Sequence, residues 1–436
     1  MTATDTLTLL HTGDAGYDEA RTVWNAMVDR YPAAIARCRS TADVAAAVRY
    51  ARANDLEIAV RCGGHNIAGL AVPEGGLMID LTPMGAVEVD PDAKLARVQG
   101  GALLGELDRE AQKYGLATTA GNVSHTGVGG LTLGGGMGWL ARQFGLACDN
   151  VNSYELVTAE GDVVRASKTE NPELFWGLRG GGGNFGIVTE FEFRLHQIGT
   201  RAIVAEFTYP TDEAFAVLRG WRDLNSTAPR QATFTANVSG DQLTVGFVWV
   251  GGPGDSDALL KAFRELGNAT SETVEKMSYL TLQSRDDNVQ GHRFRRYWKG
   301  HYFKSLPDDA IRALLRNPGI GASLQAYGGA ICDVPDEDAA FSHRDTLFEF
   351  VTATRWEDPA DDQERITTLR AYAATLDQYA GGAYLNTLNG ENVNRAFPPA
   401  KLSRLTALKT TWDPANAFHL NQNIKPAESC LPQAGW

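Results

Sequence analysis

Between residues 41 and 53 the apolar positions fall at Val44, Ala47, Val48 and Ala51, the spacing of one helix face. Ser40-Thr41-Ala42-Asp43, just ahead of them, has the make-up of a capping box. Short apolar runs at 56–62 and 77–81 predict strands. The stretch 86–99, turning at Asp90-Pro91-Asp92, predicts a hairpin. A helix is expected over 103–114, closed by Gly115, then two strands over 155–165 around Glu160-Gly161-Asp162, a short helix at 174–178 and a strand at 187–195. Beyond residue 200, strands at 202–209, 231–238, 243–250 and 321–331 are interspersed with helices at 256–267, 305–316 and 361–379. After the turn at Asp413-Pro414, residues 418–424 read as a strand with Asn421 and Asn423 on one face. No internal repeat appears. The mixture predicts an α+β protein whose character changes near residue 200, with a first domain over 1–200 and a second over 201–395.

Composition adds one departure from the ordinary: 46 of 436 residues are glycine. They cluster in Cys62-Gly63-Gly64-His65-Asn66, in GNVSHTGVGGLTLGGGMG at 121–138 and in GLRGGGGNFG at 177–186. Linkers pair glycine with polar residues, but here it is interleaved with Val, Leu, Met, Trp and Phe. That pattern points to backbone closely approached by something large. Forty Lys and Arg against 53 Asp and Glu leave a net charge of −13, which argues against a nucleic-acid or anionic-membrane partner. No apolar run reaches the roughly 20 residues of a membrane span. The first ten residues carry no basic residue of the kind a signal peptide needs. Five cysteines form no CxxC pair and eight histidines have no metal-ligand spacing, so no metal site is expected. A reduced, cytoplasmic protein is the expectation.

Gly181-x-Gly183-x-x-Gly186 matches the dinucleotide fingerprint in letters only. The fingerprint needs a strand before the glycines and a helix after, and here the predicted order is the reverse. Gly136-x-Gly138-x-x-Ala141 lacks the acidic residue about 20 positions on. A nicotinamide-binding Rossmann domain is therefore not expected. The turn Arg61-Cys62-Gly63-Gly64-His65-Asn66 is more informative. Consecutive backbone N–H groups in a glycine turn form an anion-binding nest, with His65 at its end.

In order along the chain, 61–69, 127–140, 174–188, Tyr297-Trp298-Lys299, Gly328-Gly329-Ala330-Ile331, His343-Arg344, Tyr384-Leu385-Asn386 and the segment 413–424 resemble the berberine-bridge-enzyme-like branch of the vanillyl-alcohol-oxidase/p-cresol-methylhydroxylase flavoproteins. The resemblance spans about residues 20–426. It implies a two-subdomain FAD-binding domain of the p-cresol-methylhydroxylase type over 1–200, completed by 396–436, and an antiparallel-sheet substrate domain over 201–395 that roofs the flavin. It implies FAD attached covalently through His65 at the flavin 8α-methyl. Flavin contacts are implied from Arg61, Cys62, Gly63, Gly64, Asn66 and Gly69; from Gly121, Val123, Thr126, Gly127, Gly130, Leu131, Gly134, Gly135 and Gly138; from Gly186, Ile187 and Val188; and from Tyr384, Asn386, Asn421 and Asn423. Some members add a cysteine link, but the matching position here is Val123, which implies a single attachment. Thr126 falls beside the flavin carbon that meets O2 and favours an oxidase. Tyr384 is the implied base, with Asn386 on the same strand face and with Gln325 and Tyr327 as the other roof candidates. The expected reaction is hydride removal from a CH–OH or CH–NH carbon of a small substrate, with O2 reduced to H2O2. The alternatives are a flavin dehydrogenase with another acceptor and a flavin-carrying binding protein without turnover.

Overall fold

The structure, a computed structural model, describes residues 7–427 except 241, 253–255, 288–290 and 318; Cys430 and the first six residues lie outside the described residues. Helix Thr41–Ala53 forms as its pattern predicts, with Val44, Ala47, Val48 and Ala51 fully buried. Its cap is half a box: Ser40 Oγ accepts the Asp43 N–H at 3.2 Å, while the Asp43 carboxylate accepts the N–H of Arg39 rather than of Ser40. The helix covers a four-stranded sheet in the order Leu9–Leu10, Ala34–Arg37, Leu77–Asp80, Ile58–Arg61, the last three parallel. A second, antiparallel sheet runs Val87–Asp90, Leu95–Gln99, Ile187–Arg194, Val151–Val157, Val163–Ser167. Helix Pro172–Leu178 precedes strand Ile187–Arg194, the order that excludes the dinucleotide fingerprint.

All seven strands of the third sheet come from residues 201–356, and all pairings are antiparallel. One face packs Phe234, Phe247, Leu324, Phe348 and Phe350 against helices Thr211–Asn225, Ser256–Arg264 and Asp308–Leu315. Because successive side chains alternate, Ser323, Gln325, Glu349 and Val351 point to the opposite face. Gln325 pairs with Glu349 and Ser323 with Val351 across the neighbouring strands Gly321–Ala326 and Phe348–Trp356.

Several elements differ from the expectation. Strands Ser271–Ser278, Arg295–Phe303 and Phe348–Trp356 and helix Thr211–Asn225 are not legible in the pattern. The strand expected over 321–331 ends at Ala326, where Gly328 and Gly329 turn the chain with positive φ. Tyr384 and Asn386 do not share a strand face: Leu385–Thr387 is a single 3-10 turn with Tyr384 at its N-cap. Residues 418–424 form no strand. They are held by side chains instead. Fully buried Lys409, on helix Pro399–Trp412, donates to Asp413 at 2.6 Å and to the carbonyls of Asn184 and Phe418 at 2.9 Å. Asn184 then bonds both Gln422 O and the Ile424 N–H. These bonds bring the C-terminal segment back onto the third glycine cluster.

Candidate active site

Where the first two glycine clusters meet, their backbones touch. A Cβ on Gly63 would strike the backbone nitrogen of Gly127, and one on Gly127 would strike Gly63 N and Cys62 Sγ. Gly127→Ala should therefore force the two loops apart, at roughly 1–3 kcal/mol, and lower the melting temperature. By contrast, a Cβ on Gly130 meets nothing within 4 Å. Gly130→Ala should not lower the apoprotein's melting temperature but should reduce its uptake of the FAD that the resemblance implies when the two are mixed.

The open side of these loops lines a cavity of about 510 Å³ that extends to the roof sheet. Into its wall come Cys62, Gly63, Gly64, His65 and Asn66 from the first cluster; Gly121, Val123, Thr126, Gly127, Gly130 and Leu131 from the second; Gly186, Ile187 and Val188; and Gln325, Tyr384, Asn386 and Asn421. Seven of the residues implied by the resemblance stand behind that wall. The Arg61 guanidinium donates to the Ala20 carbonyl, and Gly69 lies against Val28. Gly134 backs onto the Asn386 amide, Gly135 onto Phe341 and Gly138 onto the Ala120 carbonyl. Asn423 is outside the lining, and Tyr327 is buried with its hydroxyl bonded to Glu349 at 2.7 Å.

The structure also brings in residues to which the sequence assigned no site role: Trp24, Asn122, Trp298 and Glu349 on the cavity wall, and His125 beside His65. His65 Nε2 is 2.7 Å from His125 Nδ1, and His65 Nδ1 is 3.4 Å from Thr126 Oγ1. The Trp24 ring stacks on His65 at 4.8 Å. Desolvation, with His125 and Arg296 close by, lowers the His65 pKa to about 3, so the ring is neutral at physiological pH. Burial pushes the Glu349 carboxyl up to about 7, opposed by the bond from Tyr327. The Tyr384 hydroxyl accepts from the Gly136 N–H at 2.9 Å and the Asn386 amide at 2.8 Å, but burial and the nearby Glu349 raise its pKa above the ordinary phenol value.

The donor set fits a large polar ligand with a flat apolar part. Trp24 Nε1, Asn122 Oδ1, Trp298 Nε1, Gln325 Nε2 and Asn421 Oδ1 belong to residues that line the cavity and have no partner among the described residues. Buried polar groups are costly without a partner, so these atoms are poised for a bound molecule. The glycine loops admit backbone N–H groups close to phosphates, and Leu131, Ile187, Val188 and Leu385 supply apolar walls. Among the described residues no cluster of three His, Cys, Asp or Glu is placed to hold a metal ion, and no helix is long and apolar enough to cross a membrane.

Residues 32–167 match the FAD binding domain family, and residues 383–425 match the family described as berberine and berberine like. The chain is 32% identical over 446 residues to (R)-6-hydroxynicotine oxidase of Paenarthrobacter nicotinovorans, covering 97% of each protein. Its fold superposes on the crystal structure of 6-hydroxy-D-nicotine oxidase from Arthrobacter nicotinovorans with a TM-score of 0.88, at 29% identity and with 97% and 98% of the two chains covered. It matches glucooligosaccharide oxidase from Acremonium strictum with a TM-score of 0.88, at 26% identity and with 96% and 97% covered; that enzyme's FAD is a 6-S-cysteinyl, 8α-N1-histidyl FAD. The α+β architecture, the FAD-binding half with its glycine loops and the antiparallel substrate sheet are those of this group: the chain belongs to the berberine-bridge-enzyme-like FAD-linked oxidoreductases.

Proposed function

We propose that this oxidoreductase is an oxidase with FAD attached covalently through His65, which removes a hydride from a CH–OH or CH–NH carbon of a small organic substrate and passes the electrons to O2, giving H2O2. One observation carries the proposal: a single cavity joins neutral His65 and the glycine loops to Tyr384 and to a roof sheet bearing Gln325 and Glu349. FAD, when bound, supplies the hydride acceptor. The chain's own residues do the rest. Glu349, ionised above about pH 7, accepts the proton that leaves the substrate heteroatom, and the Tyr327 hydroxyl fixes its orientation. Gln325 Nε2 and Asn122 Oδ1, unpartnered at the cavity edge, orient the substrate by a donor and an acceptor. Tyr384 anchors Gly136 and Asn386 beneath the roof, and its hydroxyl is the second candidate base. Two of the named relatives support the breadth of the substrate class, since one is named for a hydroxynicotine, a cyclic amine, and the other for a glucooligosaccharide.

The test is a panel of cyclic amines, sugars and alcohols. A substrate should bleach the flavin anaerobically and release H2O2 in air; a protein that no compound bleaches would be an inert flavin carrier. Thr126 lines the cavity beside His65. Photoreduced wild type should reoxidise in air within seconds, and Thr126→Leu should slow this by about tenfold or more without slowing anaerobic reduction equally. Wild-type reoxidation lasting many minutes would make the protein a dehydrogenase.

A further inference from the structure

Two histidines from different loops meet behind the cavity wall. His65 and His125 have ring centroids 4.6 Å apart and share the 2.7 Å contact between Nε2 of the first and Nδ1 of the second. Trp24, stacked at 15° on His65, is itself covered by the Arg296 guanidinium 4.1 Å from its ring, and its backbone N–H is tied to the Gly64 carbonyl. The His65 ring is thus clamped with Nε2 held against His125, which leaves Nδ1, at the longer distance of 3.4 Å from Thr126 Oγ1, to bond to a ligand. Ser124 holds the second loop in place by donating its N–H and hydroxyl to the Asp287 carboxylate at 2.7 and 2.5 Å.

Burial leaves both imidazoles neutral at pH 7, so one proton is shared across the contact. A neutral imidazole is nucleophilic only at the nitrogen that lacks a proton. We infer that His125 is the positioning residue for flavin attachment: it accepts the Nε2–H of His65, so that Nδ1 carries the lone pair, and it takes up that proton as Nδ1 forms its bond. Negative Asp287 favours the charge that His125 then acquires, against Arg296 and His292, which oppose it. The inference rests on the proposed attachment at His65. In the attachment one N–C bond forms to the 8α carbon. The imidazole and the methyl each lose a proton, and the ring system takes up two electrons and two protons. Dioxygen, the oxidant of the proposed reaction, then removes both electrons and both protons as H2O2.

The experiment follows attachment and not turnover. Apoprotein from riboflavin-starved cells is mixed with FAD, and the flavin fluorescence of the denatured band is recorded over time. The peptide carrying His65 is then weighed by mass spectrometry. His125→Ala should slow incorporation by about a hundredfold, and added imidazole should restore it. His125→Asn, which keeps an acceptor near the place of Nδ1 but cannot take up a proton, should be slowed nearly as much as His125→Ala. Quenching of protein fluorescence should show that FAD binds non-covalently equally well to all three. Should His125→Ala not fold, His125→Leu, which fills the same space, replaces it. Incorporation at the wild-type rate in the alanine or leucine variant would overturn the inference. So would a slow rate that imidazole does not rescue and that parallels weaker FAD binding. A wild type that takes up no covalent flavin would instead overturn the attachment at His65, and this inference with it.

Discussion

His65→Ala is expected to release all of the flavin once the protein is denatured. Acid-precipitated wild type should stay yellow and its gel band should fluoresce, while the variant's flavin should pass to the supernatant. The physical reason is that every other group on the cavity wall offers only non-covalent contacts, and none is a comparable nucleophile. Burial keeps Cys62, the neighbouring thiol, protonated by raising its pKa to about 11, and a thiol is far less nucleophilic than a thiolate. His65, with its pKa lowered to about 3, keeps a lone pair available across the physiological range. In its native state the variant should still hold some FAD, because the glycine cradle is untouched. Flavin freely extracted from the wild type, or a second adduct on any cysteine, would contradict the single histidyl link.

The second large effect is expected at Glu349. With the carboxyl pushed up to about 7 by burial, the base is present above that pH and lost below it. Anaerobic flavin reduction by an alcohol or amine should therefore rise with pH to about 7 and then level off. Glu349→Gln keeps the size of the side chain and an acceptor for the Tyr327 hydroxyl but cannot take a proton. It should slow reduction by about 10²–10⁴-fold and abolish the rise. Stability should move the other way. A carboxyl with a raised folded pKa costs stability as pH climbs from its ordinary 4.5 through 7. At pH 8 the glutamine variant should melt no lower than wild type, which separates lost chemistry from lost folding. Tyr384→Phe is the companion measurement. It leaves the Gly136 N–H without its partner, so some loss of stability is expected, but reduction should stay within about tenfold. A reversed pattern, with Tyr384→Phe slowed a hundredfold or more and Glu349→Gln unaffected, would return the role of base to the tyrosine.

Much of this protein is legible in local stretches of its chain. The helix at 41–53 follows from apolar spacing and a cap, both contained within a dozen residues. The hairpin around Asp90-Pro91-Asp92 and the C-terminal glycine at Gly115, with φ of 68°, are equally local. The three glycine clusters signal a ligand lying on backbone because glycine among apolar residues has few other uses. His65 stands out because it ends one of those clusters. Each of these signals is carried by residues adjacent in the chain.

What the sequence could not supply depends on residues far apart in it. Strands Arg295–Phe303 and Phe348–Trp356 are a paired edge of the roof sheet, and neither carries a pattern strong enough to stand alone. Glu349 becomes a cavity residue because β alternation turns its neighbours Phe348 and Phe350 into the core, a fact visible only once the strand exists. His125 sits 60 positions from His65 and meets it only because Gly63 and Gly127 let two loops touch. Residues 418–424 have the pattern of a strand but not its ladder, since their order comes from distant Lys409 and Asn184. The sequence by itself determined the mixture of helices and strands and the three glycine clusters, since short-range backbone and packing preferences encode them, while the flavin and His65 as its attachment candidate came from the ordered set of motifs that resembles the family. Tertiary structure alone decided which nitrogen of His65 meets His125 and that burial pushes the Glu349 carboxyl on the cavity wall up to about 7, because a loop 60 positions away supplies the first and the packing of distant strands the second.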